Sequence, residues 1–194
     1  MSRFALLMAV FAVPAMAGPA DDGRWHAGAY SFSDEMGGFR ITDVGGSGTR
    51  DDPIVIEQDL LSASPVTLVI RATGTLQPYG RPGDSANGWI HLKLVTRNGS
   101  GIGWIEFEFE LQEILGRPSV FGDGLSFDQR RSESGNITSS AFETHVRDFE
   151  PADRVLFQGG KIDPDETGDF GFLITDFTPV TEFYLVQDPR IPFS

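Results

Sequence analysis

Three groups of side chains in this sequence have the types and spacing to do chemistry. Glu106, Glu108 and Glu110 alternate along one run, Trp89, His91 and Trp104 lie close before them, and Asp163, Asp165, Thr167 and Asp169 place oxygen donors at every second position. Alternate residues of a strand share one face at about 7 Å spacing, twice the rise per residue. Two carboxylates at such a distance match the acid and base of a glycoside hydrolase, which sit about 5 to 10 Å apart. An open strand face, however, lacks the dry or crowded pocket that raises the pKa of a catalytic acid. The glutamate row therefore reads first as a solvated face, with a polysaccharide hydrolase as the alternative.

The alternation places Trp89 and Trp104 on the same polar face as His91, Glu106 and Glu108. An indole stacks on the apolar C–H face of a sugar while nearby polar groups take its hydroxyls. Trp89, Trp104, His91, Glu106 and Glu108 are accordingly the expected ligand-binding residues, for a neutral carbohydrate.

The segment from Asp163 to Asp169 begins like a calcium loop of the form D-x-[DN]-x-[DN]-G, with Thr167 at the third donor place and Gly168 after it. The twelfth position falls on Ile174 instead of a bidentate glutamate, and the flanks read as strand. A complete EF-hand is excluded. What remains is a weak calcium site built on Asp163, Asp165, Thr167 and Asp169, and no other cofactor is expected.

Other chemistries lack a starting point. Cysteine is absent, which removes disulfides, thiolate nucleophiles and thiolate metal sites. The three histidines never form an HExxH pair, and neither a G-x-S-x-G elbow nor a phosphate-binding glycine loop occurs.

The elements that must position these groups are strands. Short runs rich in Val, Ile, Phe and Thr alternate with period two and are punctuated by 23 Gly and 12 Pro, the pattern of an all-β sandwich. Strands are expected at 29–33, 39–44, 53–58, 66–72, 89–97, 102–112, 141–147, 154–157, 169–176 and 180–187. The irregular stretch 116–140 reads as a long loop or functional insertion. Residues 89–112 read as a hairpin turning at Asn98-Gly99, a type I′ signal. That turn pairs Ile90 with Phe107 and Leu92 with Ile105 on an apolar face, and His91 with Glu106, Lys93 with Trp104 and Trp89 with Glu108 on the polar one. The expected fold is a single two-sheet antiparallel β-sandwich, jelly-roll-like, over residues 18–194.

Before it, Met1–Ala17 has the form of a secretory leader: Arg3, an apolar stretch to Val13, Pro14, and a small-x-small end at Ala15-Met16-Ala17. The apolar run is shorter than the roughly 20 residues that span a bilayer. A periplasmic or secreted protein without membrane insertion is expected. The chain carries 28 acidic and 15 basic residues, a net charge of −13, which opposes binding to nucleic acid phosphates. The expected function is a non-enzymatic exported binding protein, with a hydrolase or a structural subunit of the cell envelope as alternatives.

Overall fold

A computed structural model describes residues 18–81, 83–129, 135–148 and 150–192. The leader therefore lies outside the described residues. Among the described residues thirteen strands run in chain order: β1 Trp25–Ala27, β2 Tyr30–Ser33, β3 Phe39–Gly45, β4 Ile54–Leu60, β5 Val66–Ala72, β6 Trp89–Asn98, β7 Glu106–Gln112, β8 Leu125–Phe127, β9 Ile137–Ser139, β10 Phe142–Asp148, β11 Arg154–Gly160, β12 Thr167–Asp176 and β13 Glu182–Arg190. One turn of 3₁₀-helix, Phe121–Asp123, precedes β8.

The strands form two packed sheets. The first has the order β1-β2-β5-β13-β7-β11-β10; the second has β3-β4-β6-β12-β8, with β9 also paired to β12. The chain passes from one sheet to the other at most connections, as in a jelly roll. All pairs are antiparallel except β4 and β6, which run parallel, with Ile54 beside Leu92 and Leu60 beside Asn98. The irregular stretch 116–140 supplies β8 and β9, an edge of the second sheet.

The expected 89–112 hairpin does not form. β6 pairs with β4 and β12 in the second sheet, whereas β7 pairs with β11 and β13 in the first. Both apolar faces expected from the alternation are nevertheless buried: Ile90, Leu92 and Leu94 on β6, and Phe107, Phe109 and Leu111 on β7. They meet face to face across the sandwich instead of side by side in one sheet. That arrangement covers both rows at once, and a lone hairpin would leave them open to water. Ring contacts join the layers, with Phe107 centred 4.7 Å from Phe170 and Phe109 centred 4.7 Å from Phe172. Burying each such side chain contributes about 1.5–3 kcal/mol.

Asn98 shows how the crossing is held. It is fully buried, and its amide donates to the carbonyls of Ile102 at 2.9 Å and Ile162 at 3.0 Å. Its side-chain oxygen accepts from the Ser100 backbone N–H at 3.1 Å and the Ser100 hydroxyl at 2.7 Å. The residue expected to form an exposed hairpin turn thus satisfies a buried crossover. Such internal pairing is what a backbone segment under the core requires.

The crossing also resets the alternation. Trp104, expected outside, is fully buried, and Ile105, expected inside, is 42% exposed. Trp104 exchanges backbone hydrogen bonds with Ile162, its indole N–H donates to Ser100 Oγ at 3.1 Å, and its ring meets Phe107 edge-on at 5.4 Å. No helix among the described residues is long and apolar enough to cross a membrane.

Candidate functional site

A cleft of about 560 Å³ lies on the outer face of the second sheet. Its floor follows from strand alternation. Leu92, Leu94, Phe170 and Phe172 point into the core, so His91 and Lys93 of β6 and Asp169 and Gly171 of β12 point out. The register sets Lys93 opposite Gly171 and His91 opposite Leu173. On its other side Gly171 pairs with Thr138 of β9. A side chain at 171 would not fit, because a Cβ there would stand 2.5 Å from Thr138 Oγ1. Glycine at this outward position lets β9 close down and deepens the floor.

Two irregular segments build the walls. On one side, loop 46–52 wraps the Asp52 carbonyl with the N–H groups of Ser47, Gly48 and Thr49 at 3.2, 3.0 and 3.1 Å. Gly46 permits the turn, with φ of 94° and a missing Cβ that would lie 2.0 Å from the Pro53 carbonyl oxygen. The His91 N–H donates to the Gly48 carbonyl at 3.0 Å and ties this loop to β6. Arg50 lies within it and lines the cleft.

The opposite wall comes from 135–140. Asn136 is buried, with its carbonyl oxygen accepting from Arg50 Nη2 at 2.8 Å and its amide donating to Asp128 Oδ2 at 3.0 Å. Contacts at both ends define the orientation of this amide. Ser139 Oγ accepts from the Ala141 N–H at 3.2 Å, and Ser140 Oγ accepts from the Asp169 N–H at 2.9 Å. Lys93 Nζ and Asp169 Oδ2 form an ion pair at 2.7 Å across the floor. The result is a concave site on a regular sheet, in which polar groups from three segments surround an apolar part supplied by Pro53, Leu92 and Phe172.

The residues expected to bind a ligand are dispersed. His91 lines the cleft. Trp89 is half-buried on β6 with its ring 6.2 Å from Phe177, whereas Trp104 is in the core, so the two indoles form no shared platform. Glu106 and Glu108 lie on β7 in the other sheet. Glu106 accepts from Gln158 at 2.8 Å, and Glu108 meets Arg190 at 3.0 Å and Arg154 at 3.9 Å. Glu110 accepts from Arg154 Nε at 2.6 Å. The glutamate row is a cross-strand ion-pair ladder, with each carboxylate facing a cation or an amide.

The candidate calcium residues do not converge either. Asp163 pairs with Lys161, Asp165 with Arg97 and Asp169 with Lys93. Thr167 stands opposite Arg97 in the β12–β6 register. Among the described residues no group of three or more Asp, Glu or His side chains is placed to hold a metal ion. The turn and the following strand send their carboxylates to separate cations, and only Asp169 reaches the cleft.

Sequence reasoning missed Arg50, Asn136, Ser139, Ser140 and Gly171. One signal was present: in Asp169-Phe170-Gly171-Phe172 the glycine occupies an outward position of an alternating strand, where a neighbouring backbone approaches closely. No family model matches the sequence, and no curated protein matches it.

Proposed function

We propose that this is an exported, non-enzymatic binding protein whose ligand is a carbohydrate seated in the cleft over β6 and β12. The observation that carries this reading is the cleft itself: about 560 Å³, floored by regular strands and ringed by hydroxyl, amide and charged groups. That volume suits a di- or trisaccharide-sized ligand in the usual range of small-molecule sites. A sugar offers closely spaced hydroxyls, each both donor and acceptor, and Asn136, Ser139, Ser140, Lys93 and Asp169 supply the complementary set. The non-catalytic part of the reading rests on the glutamate row on the other sheet, where Glu108 and Glu110 are held by Arg190 and Arg154 and Glu106 by the Gln158 amide, none of them facing the cleft. Export rests on the leader sequence.

The test is a titration of the exported protein with a panel of neutral and acidic oligosaccharides, followed by amide chemical shifts. Binding should move the resonances of His91, Lys93, Asn136 and Gly171 and leave those of β7 in place. Saturable shifts confined to the Glu106–Glu110 face, or no binding by any member of the panel, would overturn the assignment to this cleft.

A further inference from the structure

Of the three Trp and three Tyr in the chain, one ring stands apart from the rest. Trp25, Tyr30 and Trp104 are buried, Trp89 is half-buried against Phe177, and Tyr184 is half-buried and donates to Glu182. Tyr79 is 74% exposed, the highest value among the large apolar side chains of the described residues. Its backbone is unusual as well, with φ of 64°. Pro78 and Tyr79 are the central residues of a turn that the Gly80 N–H closes on the Gln77 carbonyl at 2.8 Å. Proline followed by a residue of positive φ is the pattern of a type II turn, whose third place calls for Gly or Asn. A bulky side chain there is strained.

The surroundings hold the turn in that shape. The Asn87 amide donates to the Gly80 carbonyl at 3.0 Å, and a Cβ on Gly80 would stand 2.3 Å from Ser85 Oγ. Ser85, Ala86 and Asn87 are buried, and the Gln77 N–H donates to the Ala86 carbonyl at 3.1 Å. Strain of this kind persists where buried neighbours over-determine the backbone. The exposed ring returns little packing to offset it, so the fold would be no weaker with a residue that tolerates the turn.

We propose that Tyr79 is a sugar-stacking residue, a second carbohydrate contact outside the cleft. The inference rests on the carbohydrate part of the reading above. A solvent-facing ring covers the apolar C–H face of one sugar residue, and the exposed Gln77 and Arg81 flank it in the chain to meet hydroxyls. One ring matches one sugar in size, whereas a stable protein interface needs about 800 Å² from each partner. The acidic chain opposes the phosphates of nucleic acid, the other ligand that stacks on single rings.

The experiment titrates the exported protein with cellohexaose, maltohexaose, xylohexaose and mannohexaose, followed by calorimetry and by the resonances of the Tyr79 ring and the amides of Gln77, Tyr79 and Gly80. At least one hexasaccharide should move these resonances. Tyr79→Asn keeps a residue that accepts the left-handed backbone and removes the ring. It should weaken binding at the turn about tenfold, with a melting temperature equal to or above that of the wild type. Tyr79→Trp should keep the affinity within about twofold. Undiminished binding by Tyr79→Asn, with the shifts of His91, Lys93 and Gly171 intact, would overturn the stacking role and leave the cleft reading standing. A melting temperature that falls in Tyr79→Asn would make the ring a structural element and overturn the proposal as well. Shifts at the turn with none at the cleft would support the stacking role and remove the cleft from the reading. No shift at either place with any of the four sugars would remove both.

Discussion

The Ser126 hydroxyl donates to the Asp153 carboxylate and so joins β8, at the edge of the second sheet, to the residue that precedes β11 in the first. Both residues are fully buried. Arg147 on β10 reaches the same Ser126 oxygen at 3.1 Å and the Asp128 carbonyl at 2.9 Å. These contacts bridge the two layers along the side of the sandwich where β10 and β8 end their sheets.

Burial pushes the Asp153 carboxyl up to about 6, against the opposing pulls of the Ser126 hydrogen bond and the Arg147 charge. Its folded pKa lies above its unfolded one, so the folded protein holds a proton that the unfolded chain releases. The stabilisation linked to that proton is complete below about pH 4 and is lost as pH rises through about 6. Asp176 and Asp188 are raised by burial as well and act in the same direction. Melting temperature should therefore be lowered progressively between about pH 4 and pH 6.5, with Asp153 accounting for about 2–3 kcal/mol of the pH-dependent part across that window. Asp153→Asn should flatten the profile across this window. A wild-type profile that climbs steadily to neutrality would contradict the assignment.

Neighbouring residues on β7 should respond very differently to truncation. Phe107 is fully buried between the sheets and meets Phe170 and Trp104, so Phe107→Ala should cost about 3–5 kcal/mol in urea unfolding. Glu108 lies on the outer face between Arg154 and Arg190, and Glu108→Gln should cost about 1 kcal/mol or less. Comparable losses at the two positions would mean that the outer face of the first sheet is covered.

Calcium should leave the melting temperature unchanged relative to chelator at equal ionic strength. Asp163, Asp165 and Asp169 each have a lysine or arginine partner of their own, and a bound ion would have to displace three cations and draw the carboxylates together. A rise with calcium that Asp165→Ala removes would restore a metal site at this turn.

Processing is expected after Ala17. Intact mass of the exported protein should match a chain beginning at Gly18, because Ala15 and Ala17 suit the small pockets of a signal peptidase. A membrane-held species retaining Met1–Ala17 would overturn the leader.

What could be read from the sequence is what depends on neighbours along the chain. Period-two alternation identifies strands and assigns faces, because successive side chains of a strand must point to opposite sides. Ile90, Leu92 and Leu94, and likewise Phe107, Phe109 and Leu111, are buried as that rule requires. The sandwich class follows from many such strands separated by Gly and Pro. Which strands pair is a different matter. Asn98-Gly99 has the local signature of a tight turn, yet seven residues, 99–105, carry the chain from one sheet to the other. The deciding free energy is the burial of both apolar rows against each other, and that depends on strands far away in sequence.

The site was lost at the same step. Trp104 shifted from the expected outer face to the core because the crossover broke the alternation between it and Phe107. Asp169 was legible as an oxygen donor, but its partner Lys93 lies 76 residues earlier and meets it only through the β6–β12 register. Asn136 and Arg50, 86 residues apart, are joined by a hydrogen bond across the cleft that no local pattern encodes. Side-chain type and face are local properties of an extended chain. Convergence on one cleft is a property of the packed sheets, and only the tertiary structure decides it.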